Sequence, residues 1–146
     1  MQESLKRFAS IGEVTLGLNQ NDANILCRLN QLEALPAKDP ETTLFQGRVL
    51  RDCLGLHEVV IHSIRYAVVV APAEEAQVYG PYCEKPLKST GAGDRFNAGY
   101  ALGLVLGCEL RDRLTLACAS SGFFVRRAHS ASLAELIGFL ESDVVR

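Results

Sequence analysis

The run Lys88-Ser89-Thr90-Gly91-Ala92-Gly93-Asp94-Arg95-Phe96-Asn97-Ala98-Gly99 holds the residues best suited to chemistry. A Gly-Ala-Gly turn stands directly ahead of an acid, at the mouth of a long apolar segment that reads as a helix. Small residues let backbone N–H groups approach a ligand closely, and a helix start adds partial positive charge. The turn is therefore suited to an anion, with phosphate the leading choice. Asp94 has two readings. A carboxylate at a helix start is a ready cap. Three small residues in a row are more than a cap requires, however. With a phosphoryl group on the amides of Ala92, Gly93 and Asp94, the carboxylate would orient an attacking hydroxyl and accept its proton. The spacing is not that of a Gly-x-x-x-x-Gly-Lys-Ser/Thr loop.

The elements that must position this run follow from periodicity. Residues 2–9 read as a helix and 13–18 as a strand. The cluster Asn19-Gln20-Asn21-Asp22 ends that strand and caps a helix over 23–32, with Ile25, Leu26, Leu29 and Leu32 as its apolar stripe. Asn19 and Asn21 serve equally as turn and cap residues on this reading. Leu35, Pro36, Ala37 and Lys38 form a loop. Asp39 as cap with Pro40 at the first helical position opens a further helix, closed by Gly55. Three short strands follow over 58–62, 66–70 and 76–79. Val59-Val60-Ile61 and Val68-Val69-Val70 are apolar on both faces, as central strands of a covered sheet are. Helices over 93–106, 110–126 and 133–142 complete the chain, the last opened by the capping box Ser132-x-x-Glu135. Strand ends carrying polar clusters, with helices between, make an α/β layered fold whose ligands gather at the strand ends.

Composition narrows the function classes. The 146 residues are 48% hydrophobic with a net charge of −2, enough for one packed domain spanning 1–146 and without the basic run of a nucleic-acid surface. The longest apolar stretch, 98–107, is too short for a bilayer, and the N-terminal residues lack the apolar core of a secretory signal. Five cysteines, none spaced Cys-x-x-Cys, suit reduced thiols in a cytoplasmic protein.

The segment from Ser89 to Gly99 resembles the second signature of the ribokinase-like (PfkB) carbohydrate kinases, in which an Asp-Thr-x-Gly-Ala-Gly-Asp run supplies the anion hole and the catalytic base. The match at Gly91, Ala92, Gly93 and Asp94, with Phe96 and Asn97 following, is specific. The rest agrees in order and spacing with the C-terminal half of such a kinase. The resemblance implies the C-terminal portion of a ribokinase-like fold, a mostly central β-sheet flanked by helices, with the sugar-binding half and lid outside these residues. It implies ATP as phosphoryl donor, Mg²⁺ and a sugar-like acceptor, with Asp94 as base and Gly91, Ala92 and Gly93 as the anion hole.

By the same resemblance Asn19 and Asp22 stand where the family has Asn-x-x-Glu, so Asp22 would order Mg²⁺ through water. His62 and Ser63 fall where relatives carry a Thr-x-Gly-x-x-Gly turn along the nucleotide; Ile64 and Ala67 replace its glycines. His62 also reads as a hydrogen-bonded strand end. Ala117, Cys118 and Ala119 match the small residues of the adenine pocket and read equally as helix packing. His129 and Ser130 lie in the loop beyond. Lys88 stands where relatives have an Asp that helps hold a monovalent cation. It is either an electrostatic substitute for that ion or a solvated surface lysine.

Two function classes result: the nucleotide and catalytic half of an ATP-dependent sugar kinase, and a non-catalytic nucleotide-binding or interaction module derived from one. Neither involves nucleic acid or membrane. A parallel sheet with an unsupported edge near 14–18 would favour a homo-oligomer or association with a missing N-terminal half.

Overall fold

A computed structural model describes residues 2–32 and 38–142. The elements run α1 (Gln2–Ala9), β1 (Thr15–Asn19), α2 (Gln20–Leu29), α3 (Pro40–Leu54), β2 (Glu58–His62), β3 (Tyr66–Val70), β4 (Glu75–Tyr79), α4 (Ala92–Val105), α5 (Leu110–Arg127) and α6 (Leu133–Glu141). The loop expected over 35–37 lies outside the described residues. No described helix is long and apolar enough to cross a membrane.

The strands form one sheet in the order β1-β2-β3-β4. β1 runs parallel to β2, with Gly17 opposite Val60, and the connection between them carries α2 and α3. β2 and β3 are antiparallel, with Val60 opposite Val69. The sheet is therefore mixed, not parallel. Only residues 63–65 join β2 to β3, far fewer than a parallel crossover needs. As the double-sided apolar pattern predicts, Val59, Val60, Ile61, Val68, Val69 and Val70 are all but completely buried.

α2 starts three residues before its expected position. Asn19, extended at φ −81°, accepts the Asp22 N–H on its side chain and is the cap itself. Of the expected stripe Leu26 is buried, together with Ala23 and Cys27, while Ile25 and Leu29 are exposed and Leu32 lies beyond the helix. The other signals hold. Asp39 and Thr42 close a capping box on α3, Gly55 ends that helix at φ +66°, and Ser132 with Glu135 caps α6.

Contacts divide the described residues into two compact units. One takes in residues up to Ser63 together with Ala67–Gln77; the other takes in Ile64–Tyr66 and the residues from Val78 onward. In the first, α3 packs on β2, and Arg48 forks onto both carboxylate oxygens of Glu75 at 2.5 and 2.6 Å. The second is dominated by the pair α4 and α5. A β-carbon on Gly99 would lie 2.6 Å from Ser120 Oγ, 2.7 Å from the Leu116 carbonyl and 2.8 Å from Ala117 Cα. Glycine is what lets these helices touch along their backbones, and that contact fixes where α4 begins.

Candidate active site

The turn ahead of α4 is built by one left-handed residue. Gly91 sits at φ +93°, ψ 1°, a conformation that disfavours any side chain, and serves as N-cap without a side-chain hydrogen bond. The Ala92 N–H folds back onto the Ser89 carbonyl at 3.0 Å, and the first helical bond runs from the Arg95 N–H to the Gly91 carbonyl at 3.3 Å. Among the described residues no backbone acceptor meets the N–H groups of Gly93 or Asp94, the donors that helix geometry leaves orphaned. Sequence reasoning counted Ala92 among the donors, but in this conformation its N–H is engaged within the turn.

Asp94 occupies the third position of α4 and caps nothing. Its carboxylate is 81% exposed, and its one ion-pair neighbour among the described residues is Arg95 Nη1 at 4.0 Å. The cap is thus Gly91, and the Asp94 carboxylate is open to solvent. Asp94, Arg95, Ala98, Gly99, Ser120 and Ser130 help to line a groove of about 350 Å³.

Two cations stand behind the turn. The Arg95 guanidinium lies 4.8 Å from the centroid of the Phe124 ring, and the Lys88 ammonium 5.6 Å from the same ring. Arg95 Nε also donates to Ser130 Oγ at 3.0 Å. The Leu87 N–H donates to the Val125 carbonyl at 2.8 Å, pinning the segment just before Lys88 to α5. Lys88 and Ser130 were legible as candidates; Arg95 and Phe124 were not.

The remaining candidates of this unit are placed as follows. Ala117 and Ala119 are buried, Ala117 beneath Gly99, in keeping with helix packing. Cys118 faces Gly80, whose β-carbon would sit 3.4 Å from the sulfur, and burial pushes its thiol up to about 12. His129 packs edge-on against Phe123 and lies 3.9 Å from Glu135.

Asn19, Asp22, His62 and Ser63 belong to the other unit. Besides capping α2, Asn19 donates its amide to Asp22 Oδ2 at 2.7 Å. That leaves the exposed Asp22 carboxylate its other oxygen for a water or ion. Among the described residues no group of three or more His, Cys, Asp or Glu could cage a metal directly. His62 closes β2 opposite Ala67. Burial holds its imidazole below the ordinary value, with the Asp22 carboxylate opposing.

Residues 2–142 match the family model described as prokaryotic ketohexokinase. A ketohexokinase from Haloferax volcanii is 31% identical over 126 residues, which are 86% of this chain and 32% of the relative. The chain thus spans about a third of the length of that curated relative. Phosphofructokinase-2 from Escherichia coli, solved in complex with substrates and products, shares 18% identity at a TM-score of 0.73, covering 97% of this chain and 45% of its own. A protein assigned as ribokinase II from Escherichia coli, solved with ATP and Mg²⁺, gives 19% and 0.67, covering 96% and 42%. Such identities establish the fold, which is ribokinase-like. Together with the turn and its acid, these matches place the chain in the prokaryotic ketohexokinase family, within the ribokinase-like (PfkB) carbohydrate kinases.

Proposed function

We propose that this chain carries the phosphoryl-transfer apparatus of an ATP-dependent sugar kinase. The supporting observation is the turn at Gly91: a left-handed cap that leaves the Gly93 and Asp94 amides orphaned beside an exposed, uncapped carboxylate. The family's name points to a ketohexose as acceptor.

ATP supplies the phosphoryl group, and Mg²⁺, when bound, would neutralise charge on the phosphates. Asp94 orients the acceptor hydroxyl and takes its proton as the oxygen attacks the γ-phosphorus. The bond from that phosphorus to the bridging oxygen breaks, and its electron pair leaves on ADP. Gly91 and Ala92 shape the turn of the anion hole, and the amides of Gly93 and Asp94 meet charge developing on the phosphoryl oxygens. Asp22 would order Mg²⁺ through water beside Asn19. His62, Ser63, Cys118 and Ser130 are assigned to the nucleotide, and Lys88 to the role of a fixed cation behind the turn. The sugar-reading residues belong to a segment outside these residues. A soluble, cytoplasmic setting accompanies this reading.

The second reading is a non-catalytic nucleotide-binding or interaction module. It is favoured by β1, which ends the described sheet and is half exposed.

Mg·ATP should raise the melting temperature of the chain, because a ligand that binds only the folded state stabilises it. Asp94→Asn should keep that shift and abolish transfer once a sugar-binding half is supplied. Equal turnover by the variant would remove Asp94 as base. A melting temperature indifferent to Mg·ATP would remove the phosphate site.

A further inference from the structure

We propose that Arg95 is a positioning residue for the anion turn, a fixed positive charge that lets the turn hold phosphate without a monovalent cation from solution. The proposal rests on the phosphate reading above and adds to it the ion requirement of the same site.

Arg95 stands four residues after Gly91, so helix geometry lays its side chain back over the turn. A β-carbon on Gly91 would meet Arg95 Nη1 at 3.5 Å and the Phe124 ring at 3.6 Å. The guanidinium therefore touches the residue whose left-handed conformation makes the turn. It is held from two further sides, by the Phe124 face at 4.8 Å and by Ser130 Oγ at 3.0 Å. Phe124 is only 2% exposed, so one wall of the guanidinium is dry. A charge against such a wall is screened less than one surrounded by water, and an aromatic face adds its own attraction for a cation.

Asp94, an exposed ion-pair neighbour at 4.0 Å from Nη1, offsets only part of this charge. Lys88, over the same ring at 5.6 Å, adds a second cation, so fixed positive charge exceeds negative at the turn. Positive charge behind a turn of amide dipoles strengthens its hold on a phosphate, whether recruited from solution or built in. Here the chain provides it, and Arg95 is the better anchored of the two.

The test is calorimetric titration of the full chain with inorganic phosphate and with Mg·ATP, in sodium, potassium and tetramethylammonium buffers. The unmodified chain should bind with the same affinity in all three. Arg95→Gln should lose about tenfold or more in tetramethylammonium and recover part of it in potassium. Arg95→Lys keeps the charge without the fork and should bind more weakly but remain indifferent to the cation. Were Arg95→Gln unable to fold, Arg95→Lys decides: an equal loss in every buffer down to no binding would mean stacking alone matters and would overturn the proposal. Arg95→Gln binding like the unmodified chain, or an unmodified chain that requires potassium, would also overturn it while leaving the phosphate site intact. No binding of either probe by the unmodified chain in any buffer would overturn both.

Discussion

His62 shows how a single residue couples site and stability. Burial at the end of β2 disfavours its imidazolium, and the exposed Asp22 carboxylate only partly offsets this. Above the ordinary imidazole value of about 6.5 the folded and unfolded chains are both neutral at this residue. Below it the unfolded chain takes up a proton that the folded one refuses, so folding weakens as the pH falls. Urea titrations stepped from neutral to mildly acidic pH should record that decline, and His62→Gln should remove the part due to this residue. Asp22→Asn should move the His62 titration, followed by NMR, to still lower pH. A decline unchanged in His62→Gln would mean that the imidazole is not the group refusing the proton. At this scale the sequence was informative wherever cause and effect are neighbours. Gly91, Asp39 and Ser132 act on backbone groups within four residues, and each was legible. Arg95 was not, because its partners Phe124 and Ser130 arrive from α5 and the loop beyond it.

Among the elements, the α4–α5 contact is the one on which the turn's position depends. Gly99→Ala would drive a methyl into the Leu116 carbonyl and the Ala117 backbone at 2.7 and 2.8 Å, neither of which can rotate away. The helices must part, at a cost of about 1–3 kcal/mol, and Mg·ATP binding should weaken with them. Gly138, inside α6, offers the contrast: a methyl there meets nothing within 4 Å. Gly138→Ala should stabilise by about 0.5–1 kcal/mol through helix propensity alone. Denaturant midpoints of the two variants moving in the same direction would refute this account of the packing. Element types and most boundaries followed from period and caps, and β2 and β3 were placed to the residue. The start of α2 was missed because four polar residues in a row offer several possible caps, and only the geometry of Asn19 chooses among them. The antiparallel β2–β3 pairing was missed because apolarity on both faces reports burial and carries no information about strand direction.

For the whole molecule, the decisive matter is apolar surface and strand edge left facing solvent. β1 stands at one end of the described sheet, joined on its inner side to β2. Phe8, Ile11, Val105 and Leu106 are each more than 60% exposed, and Leu133 and Tyr79 are as open. A strand edge invites another strand, and large exposed apolar side chains add to the tendency to associate. Self-association is the expected behaviour of this chain. Sedimentation velocity should give a weight-average coefficient that rises with concentration, together with binding of a hydrophobic dye. Ile11→Asp and Val105→Asp, each at an open position, should reduce both signals without lowering the melting temperature, because neither side chain contributes to a buried core. A single monomeric boundary across the micromolar range, with no dye bound, would show that these surfaces are tolerated in isolation. The interaction-module reading would then lose its support, while the phosphate turn, which rests on residues of one unit, would stand unaffected.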